Sequence, residues 1–61
     1  MNWRELNTTL RSRSERQVLA MLNDELATDR RMAVLVRLHQ RYSVLRAARE
    51  RVLILKKVRR L

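Results

Sequence analysis

The stretch Asn23-Asp24-Glu25-Leu26-Ala27-Thr28-Asp29 decides how this chain folds. It is the one cluster of turn- and cap-favouring residues in the middle of the sequence. Thr28 is expected to be the N-cap of a following helix, with Asp29 in the first turn, where a carboxylate is favourable. We therefore predict a tight helix–helix connection at about residues 26–29. One unbroken helix is the alternative, because the apolar positions continue across this stretch without a large change of phase: Val18, Leu22, Leu26, Met32 and Val36.

The sequence on both sides of this connection is well suited to helices. It contains no Gly and no Pro, so neither strong helix breaker interrupts it. We predict an all-α fold, an antiparallel helical hairpin, in a single domain spanning residues 1–61. Its helices are expected at about 12–26 and about 29–59, with a short N-terminal helix at 2–10.

Capping signals support the two upstream helices. Asn2 with Glu5 three residues later has the form of a capping box, and so does Ser12 with Glu15. Ser14 is also interpreted as a cap. The predicted helix starts are therefore close to Asn2 and to the pair of serines.

The longer predicted helix is apolar on two sides. Leu38, Leu45 and Val52 recur every seven residues, as in a coiled-coil seam. A second apolar set lies roughly opposite and comprises Met32, Ala33, Val36, Ala47, Ile54, Val58 and Leu61. The first segment can cover only one side, and a chain of 61 residues without Cys needs a further source of stability, such as a partner subunit. We predict a homodimer that forms a helical bundle, with a packing seam of Leu35, Leu38, Tyr42, Leu45, Ala48, Val52 and Leu55.

The positive charge is concentrated in the second half of the chain. Residues 1–28 sum to zero, whereas residues 29–61 hold nine Arg and two Lys against two carboxylates, which is the whole net charge of +9. Such asymmetry indicates an acidic protein partner, with nucleic acid as the second choice. The predicted basic binding surface comprises Arg37, Arg41, Lys56, Lys57, Arg59 and Arg60.

Catalytic chemistry is not predicted. The single His39 has no carboxylate within reach on its own helix, since Glu50 is eleven residues further on. With no Cys and one His, the chain lacks the ligands of a typical zinc site, and without Gly it cannot form a Gly-rich phosphate loop. We predict no catalytic, metal-binding or cofactor-binding residue.

Membrane insertion is not expected either. The longest apolar runs, Ala33–Val36 and Val52–Leu55, are four residues each. A membrane span needs about 20 residues, and a signal peptide needs an apolar stretch of about 7–15. The expected location is the cytoplasm.

Two stretches give the chain a family resemblance. They are Met1-Asn2-Trp3-Arg4-Glu5-Leu6 and Arg37-Leu38-His39-Gln40-Arg41-Tyr42-Ser43-Val44-Leu45-Arg46. Together with the Arg-rich helical character, they resemble the small accessory proteins encoded in the early region of lambdoid phages, between the exonuclease and excisionase genes. The resemblance implies a non-enzymatic protein made early in infection, which acts in the host cytoplasm on host physiology or on the choice between lysis and lysogeny. It transfers no functional residue.

Overall fold

The protein is seen in a computed structural model that describes residues 2–59. Within that range it consists of three helices: α1 (Trp3–Ser12), α2 (Glu15–Ala27) and α3 (Met32–Arg59). The predicted all-α class is confirmed. Each helix begins one to three residues later than predicted, and the connection at residues 28–31 rules out a single unbroken helix for this chain.

The predicted capping box at Asn2 is confirmed. The Asn2 side-chain oxygen accepts a hydrogen bond from the Glu5 amide at 2.8 Å, and a Glu5 carboxylate oxygen accepts one from the Asn2 amide at 3.4 Å. Each side chain thus satisfies a backbone donor at the helix start. The position of α1 is therefore encoded locally.

The capping box predicted at Ser12 is wrong, because Ser12 is the last residue of α1. The N-cap of α2 is Ser14, which was also expected to be a cap. Its hydroxyl accepts a hydrogen bond from the Gln17 amide at 3.2 Å, and the Gln17 side chain accepts one from the Ser14 amide at 2.9 Å. Gln serves as well as Glu at the third position, so two overlapping patterns compete here and the later one prevails.

Thr28 is not an N-cap, contrary to the prediction, but the C-cap of α2. Its amide donates to the Asp24 carbonyl at 3.0 Å, and its hydroxyl donates to the same oxygen at 2.8 Å. Two residues later, Arg30 has a φ of 53°, in the left-handed region, and its amide donates to the Glu25 carbonyl at 2.9 Å. The left-handed turn ends α2 and satisfies its last carbonyls.

A side chain near the end of α2 connects it to the start of α3. Glu25 is 7% exposed and holds Arg31 in two ways. One carboxylate oxygen accepts hydrogen bonds from the Arg31 backbone amide at 3.1 Å and from its Nε at 3.3 Å, and the other accepts from a terminal guanidinium nitrogen at 2.9 Å. Glu25 therefore fixes the geometry of the turn.

The core is a small cluster supplied by all three helices. Leu6 and Leu10 of α1, Val18 of α2 and Leu38 of α3 are buried. Burial of one such side chain stabilises the folded state by about 1.5–3 kcal/mol. The partly buried residues that pack against the cluster are Met21, Leu22, Val34, Tyr42 and Leu45.

Two arginines of α3 attach α1 to the rest of the molecule. Arg37 Nε donates to the Asn7 side-chain oxygen at 2.6 Å, and Arg41 Nε donates to the Leu10 carbonyl at 3.3 Å. The partly buried residues of α3 that pack against the core, Val34, Tyr42 and Leu45, lie in the same half of α3. The core therefore lies along the first part of α3, a helix of 28 residues that is about 42 Å long and accounts for most of the 47 Å long axis of the molecule.

Candidate interaction surface

α2 reaches only part of the way along α3. Glu15, the first residue of α2, receives two hydrogen bonds from the Arg49 guanidinium, at 2.8 and 3.1 Å. This contact lowers the pKa of Glu15, chiefly through the side-chain hydrogen bonds from Arg49. Beyond it, residues 50–59 continue α3 for about 15 Å, and every one of them is exposed. We call residues 50–59 the α3 tail.

The predicted packing seam is covered along its first half. Leu38 is buried, and Leu35, Tyr42 and Leu45 are half-buried. The remaining members of the seam, Ala48, Val52 and Leu55, are exposed. The protomer thus uses the first four positions for its own packing and leaves the last three uncovered.

The α3 tail exposes apolar side chains on all sides. Val52, Leu53, Ile54 and Leu55 are consecutive, and four consecutive residues of a helix point in four directions. Each is 47–59% exposed, as is Val58. Large apolar side chains exposed together make the α3 tail a candidate for an interaction surface.

The residues predicted to form the basic binding surface fall into two groups. Arg37 and Arg41 are half-buried and bonded to α1, so they contribute to packing within the chain. Lys56, Lys57 and Arg59 are exposed in the α3 tail. The last predicted member, Arg60, lies outside the described residues.

The carboxylates that could neutralise the α3 tail are already engaged elsewhere. Glu15 pairs with Arg49, and Glu50 pairs with Arg46 at 2.8 Å, one helical turn away. Within residues 2–59, no ion pair forms to Arg51, which the sequence prediction omitted, or to the three basic residues predicted in the tail. The α3 tail therefore presents apolar and basic groups together, and its one carboxylate, Glu50, is paired with Arg46.

Two clefts elsewhere on the molecule are less suited to a ligand. Trp3 and Leu6 line one of about 40 Å³ with Arg31, far below the roughly 300 Å³ of a typical small-molecule site. A wider groove of about 350 Å³ runs between Thr9 and Met21, but its only charged lining residue is Arg13. In the part of the chain that the structure describes, no group of three acidic or histidine side chains is arranged to hold a metal ion.

None of the helices within residues 2–59 is long and apolar enough to cross a bilayer. A scan against protein-family models finds no match to this sequence, and searches of curated proteins and of solved structures find no significant match.

Proposed function

We propose that this chain is a non-enzymatic interaction protein that binds an acidic protein through the α3 tail. The observation that supports the proposal is that Val52 and Leu53, 51% and 47% exposed within a run of apolar residues, lie beside basic side chains that lack a described counter-charge. Apolar contact supplies affinity, and complementary charge supplies selectivity and a faster encounter. A solvated helix end would need no such run of large apolar residues.

The resemblance to lambdoid phage accessory proteins supports a biological setting for this activity. In that setting the chain is a phage-encoded modulator that engages an acidic host or phage protein in the host cytoplasm early in infection. A net charge of +9 on 61 residues favours rapid capture of an acidic target. No membrane partner is proposed.

Self-association through another face of α3 forms part of the same proposal. We propose that α2 and α3 form an antiparallel hairpin, which the Glu25–Arg31 and Glu15–Arg49 contacts at opposite ends of α2 support, and that two hairpins pair into a homodimer. The face of α3 proposed for this pairing consists of uncharged residues, so the homodimer does not bring like charges of the two copies together. It comprises Ala33, Val36, Gln40, Val44 and Ala47, which are all exposed and spaced by three or four residues.

The homodimer predicts a selective effect of Val44→Asp. Val44 is 59% exposed, so the substitution should leave the helix content of the protomer unchanged while placing a charge in the proposed interface. Sedimentation equilibrium should show the parent as a dimer and the variant as a folded monomer. A parent that remains a folded monomer at every concentration would show that the neutral face does not bind a second copy.

Nucleic-acid binding is the competing function, and it is favoured by the same unneutralised Arg51, Lys56, Lys57 and Arg59. Phosphate contacts need basic side chains that reach one backbone together. Here Lys56 and Lys57 are consecutive and Arg51 is five residues before Lys56, so the charges point in several directions around the helix. We expect weak DNA binding at physiological salt, indifferent to base sequence.

Affinity capture with and without nuclease tests the two functions against each other. The tagged protein is passed through lysate at about 150 mM salt, where exposed charges are screened beyond about 8 Å. We expect a protein partner that is retained after nuclease treatment and has an acidic surface. Loss of every retained partner with nuclease, combined with sub-micromolar and sequence-selective binding to a DNA duplex, would establish the nucleic-acid function instead.

A further inference from the structure

α2 follows one track along α3, and a carboxylate near each end of α2 pairs with an arginine, one just before α3 and one within it. Glu25 pairs with Arg31, and Glu15 pairs with Arg49. Arg31 immediately precedes α3, whereas Arg49 lies within it, on the side against which α2 packs. Between them Leu38, also on that side, is buried in the core. The chain thus demonstrates how a helix with carboxylates at its ends packs against this side of α3.

The same side of α3 continues past the contact with Glu15, the first residue of α2. None of the described helices covers it there. Lys56 lies 18 residues after Leu38, so it repeats the direction of that core residue. Val52 and Leu53 flank this direction one turn earlier, and Arg59 follows it less than one turn later. We call Val52, Leu53, Lys56 and Arg59 the docking face. It repeats the apolar and basic components of the α2 contact, with Lys56 between the flanking Val52 and Leu53, but lacks the carboxylates.

We infer that the docking face binds an amphipathic helix of the acidic partner, which extends the track of α2 along α3. The apolar side of that helix packs against Val52 and Leu53, and its carboxylates pair with Lys56 and Arg59 as Glu15 pairs with Arg49. This inference deepens the proposed function and depends on it. Because only about 15 Å of α3 is available, the helix contact is small and its affinity is in the micromolar range.

Charge argues against a second copy as the occupant of this face. The last eleven described residues carry Arg49, Arg51, Lys56, Lys57 and Arg59 against a single acid, and both Arg49 and that acid are already paired. Two docking faces brought together would oppose Lys56 and Arg59 to their own copies in a partly desolvated contact, which is unfavourable. An acidic helix removes this conflict.

The first measurement compares two synthetic helical peptides of about 21 residues, or three heptads, each with a fluorescent label. Both carry the same leucine seam, flanked by Glu in one peptide and by Lys in the other. Anisotropy titrations with the full-length protein at about 150 mM salt should give a micromolar Kd for the Glu peptide. The Lys peptide should bind at least about tenfold more weakly.

Two matched substitutions then locate the bound peptide. Val52→Asp and Ile54→Asp introduce the same charge at exposed β-branched residues of similar exposure, 51% and 59%, on nearly opposite sides of the helix. Val52→Asp should weaken binding of the Glu peptide by about tenfold or more, whereas Ile54→Asp should change it by no more than about twofold. Neither should alter the unfolding transition. The double substitution Lys56→Glu with Arg59→Glu should transfer the preference to the Lys peptide.

Several results would overturn the inference. Equal binding of the two peptides would show apolar adhesion without charge selection, and equal losses for Val52→Asp and Ile54→Asp would show that the docking face is not the site. A peptide with the sequence of residues 44–59 that binds as tightly as the Glu peptide would make a second copy the occupant. If the peptide experiments fail while a nuclease-resistant protein partner is still captured, the docking mode is wrong and the proposed function stands.

Discussion

Replacing Leu38 by Ala should unfold most of the protein. Leu38 is 2% exposed and is the only residue of α3 in the buried cluster, so the substitution leaves a cavity where the three helices meet. Leu→Ala changes at such sites lower the free energy of unfolding by about 2–5 kcal/mol. A chain of this length has little stability to lose. Urea titration followed by circular dichroism should show a strongly reduced midpoint, or no native baseline at all.

Leu55→Ala is the matched control, because it makes the same chemical change in the same helix. Leu55 is 48% exposed, and Ala has a slightly higher helix propensity than Leu. We expect its free energy of unfolding to stay within about 0.5 kcal/mol of the parent's. A loss as large as that of Leu38→Ala would mean that a second copy buries the α3 tail and that the core within one protomer is not the main source of stability.

The different environments of Leu38 and Leu55 show what the sequence pattern can and cannot predict. The seven-residue recurrence of apolar positions passes through Leu38, which is buried, and Leu45, which packs against the core cluster. It continues unchanged to Val52, which is exposed. Periodicity specifies a face, but the extent of coverage depends on the length of the neighbouring helix. α2 begins at Glu15 and therefore ends its contact at Arg49.

The residues predicted to form the basic surface show a similar limit of sequence patterns. Composition located the positive charge in the second half of the chain, and the exposed Lys56 and Lys57 agree with that. It could not distinguish them from Arg37 and Arg41, whose hydrogen-bond acceptors Asn7 and the Leu10 carbonyl lie 30 and 31 residues away. Only the packing of α1 against α3 brings these groups together.

The turn was the least predictable element, although its position was nearly right. Short-range capping rules recognise a residue and its partner three positions later. The pair that holds this turn, Glu25 and Arg31, is separated by six residues across a change of chain direction. The left-handed Arg30 between them occupies a conformation that favours Gly, so its side chain provided no signal either.

Glu25→Ala should therefore produce the largest loss of stability among substitutions of single polar residues. The change removes all three hydrogen bonds to Arg31 and leaves the Arg31 backbone amide, at the start of α3, without that acceptor. A donor deprived of its partner in a part-buried site costs more than the lost bond alone. We expect a lower unfolding midpoint and increased hydrogen exchange at the first turn of α3. Asp24→Ala, a neighbouring carboxylate with no ion pair among the described residues, should leave both measurements close to those of the parent.

The charge of Glu25 also makes stability depend on pH. The side-chain hydrogen bonds from Arg31, followed by its backbone hydrogen bond, hold the pKa of Glu25 below its ordinary value of 4.5. The unfolded chain therefore binds a proton more readily than the folded one, so the stabilisation is complete above pH 4.5 and is lost as the pH falls through the lower pKa of the folded state. Denaturant midpoints measured from pH 7 down to about pH 3 should fall in the parent and in Asp24→Ala. In Glu25→Ala the decline should be shallower, with the lowered pKa of Glu15 as the main remaining contribution. Parallel declines in Glu25→Ala and the parent would show that the Glu25–Arg31 pair does not hold the turn.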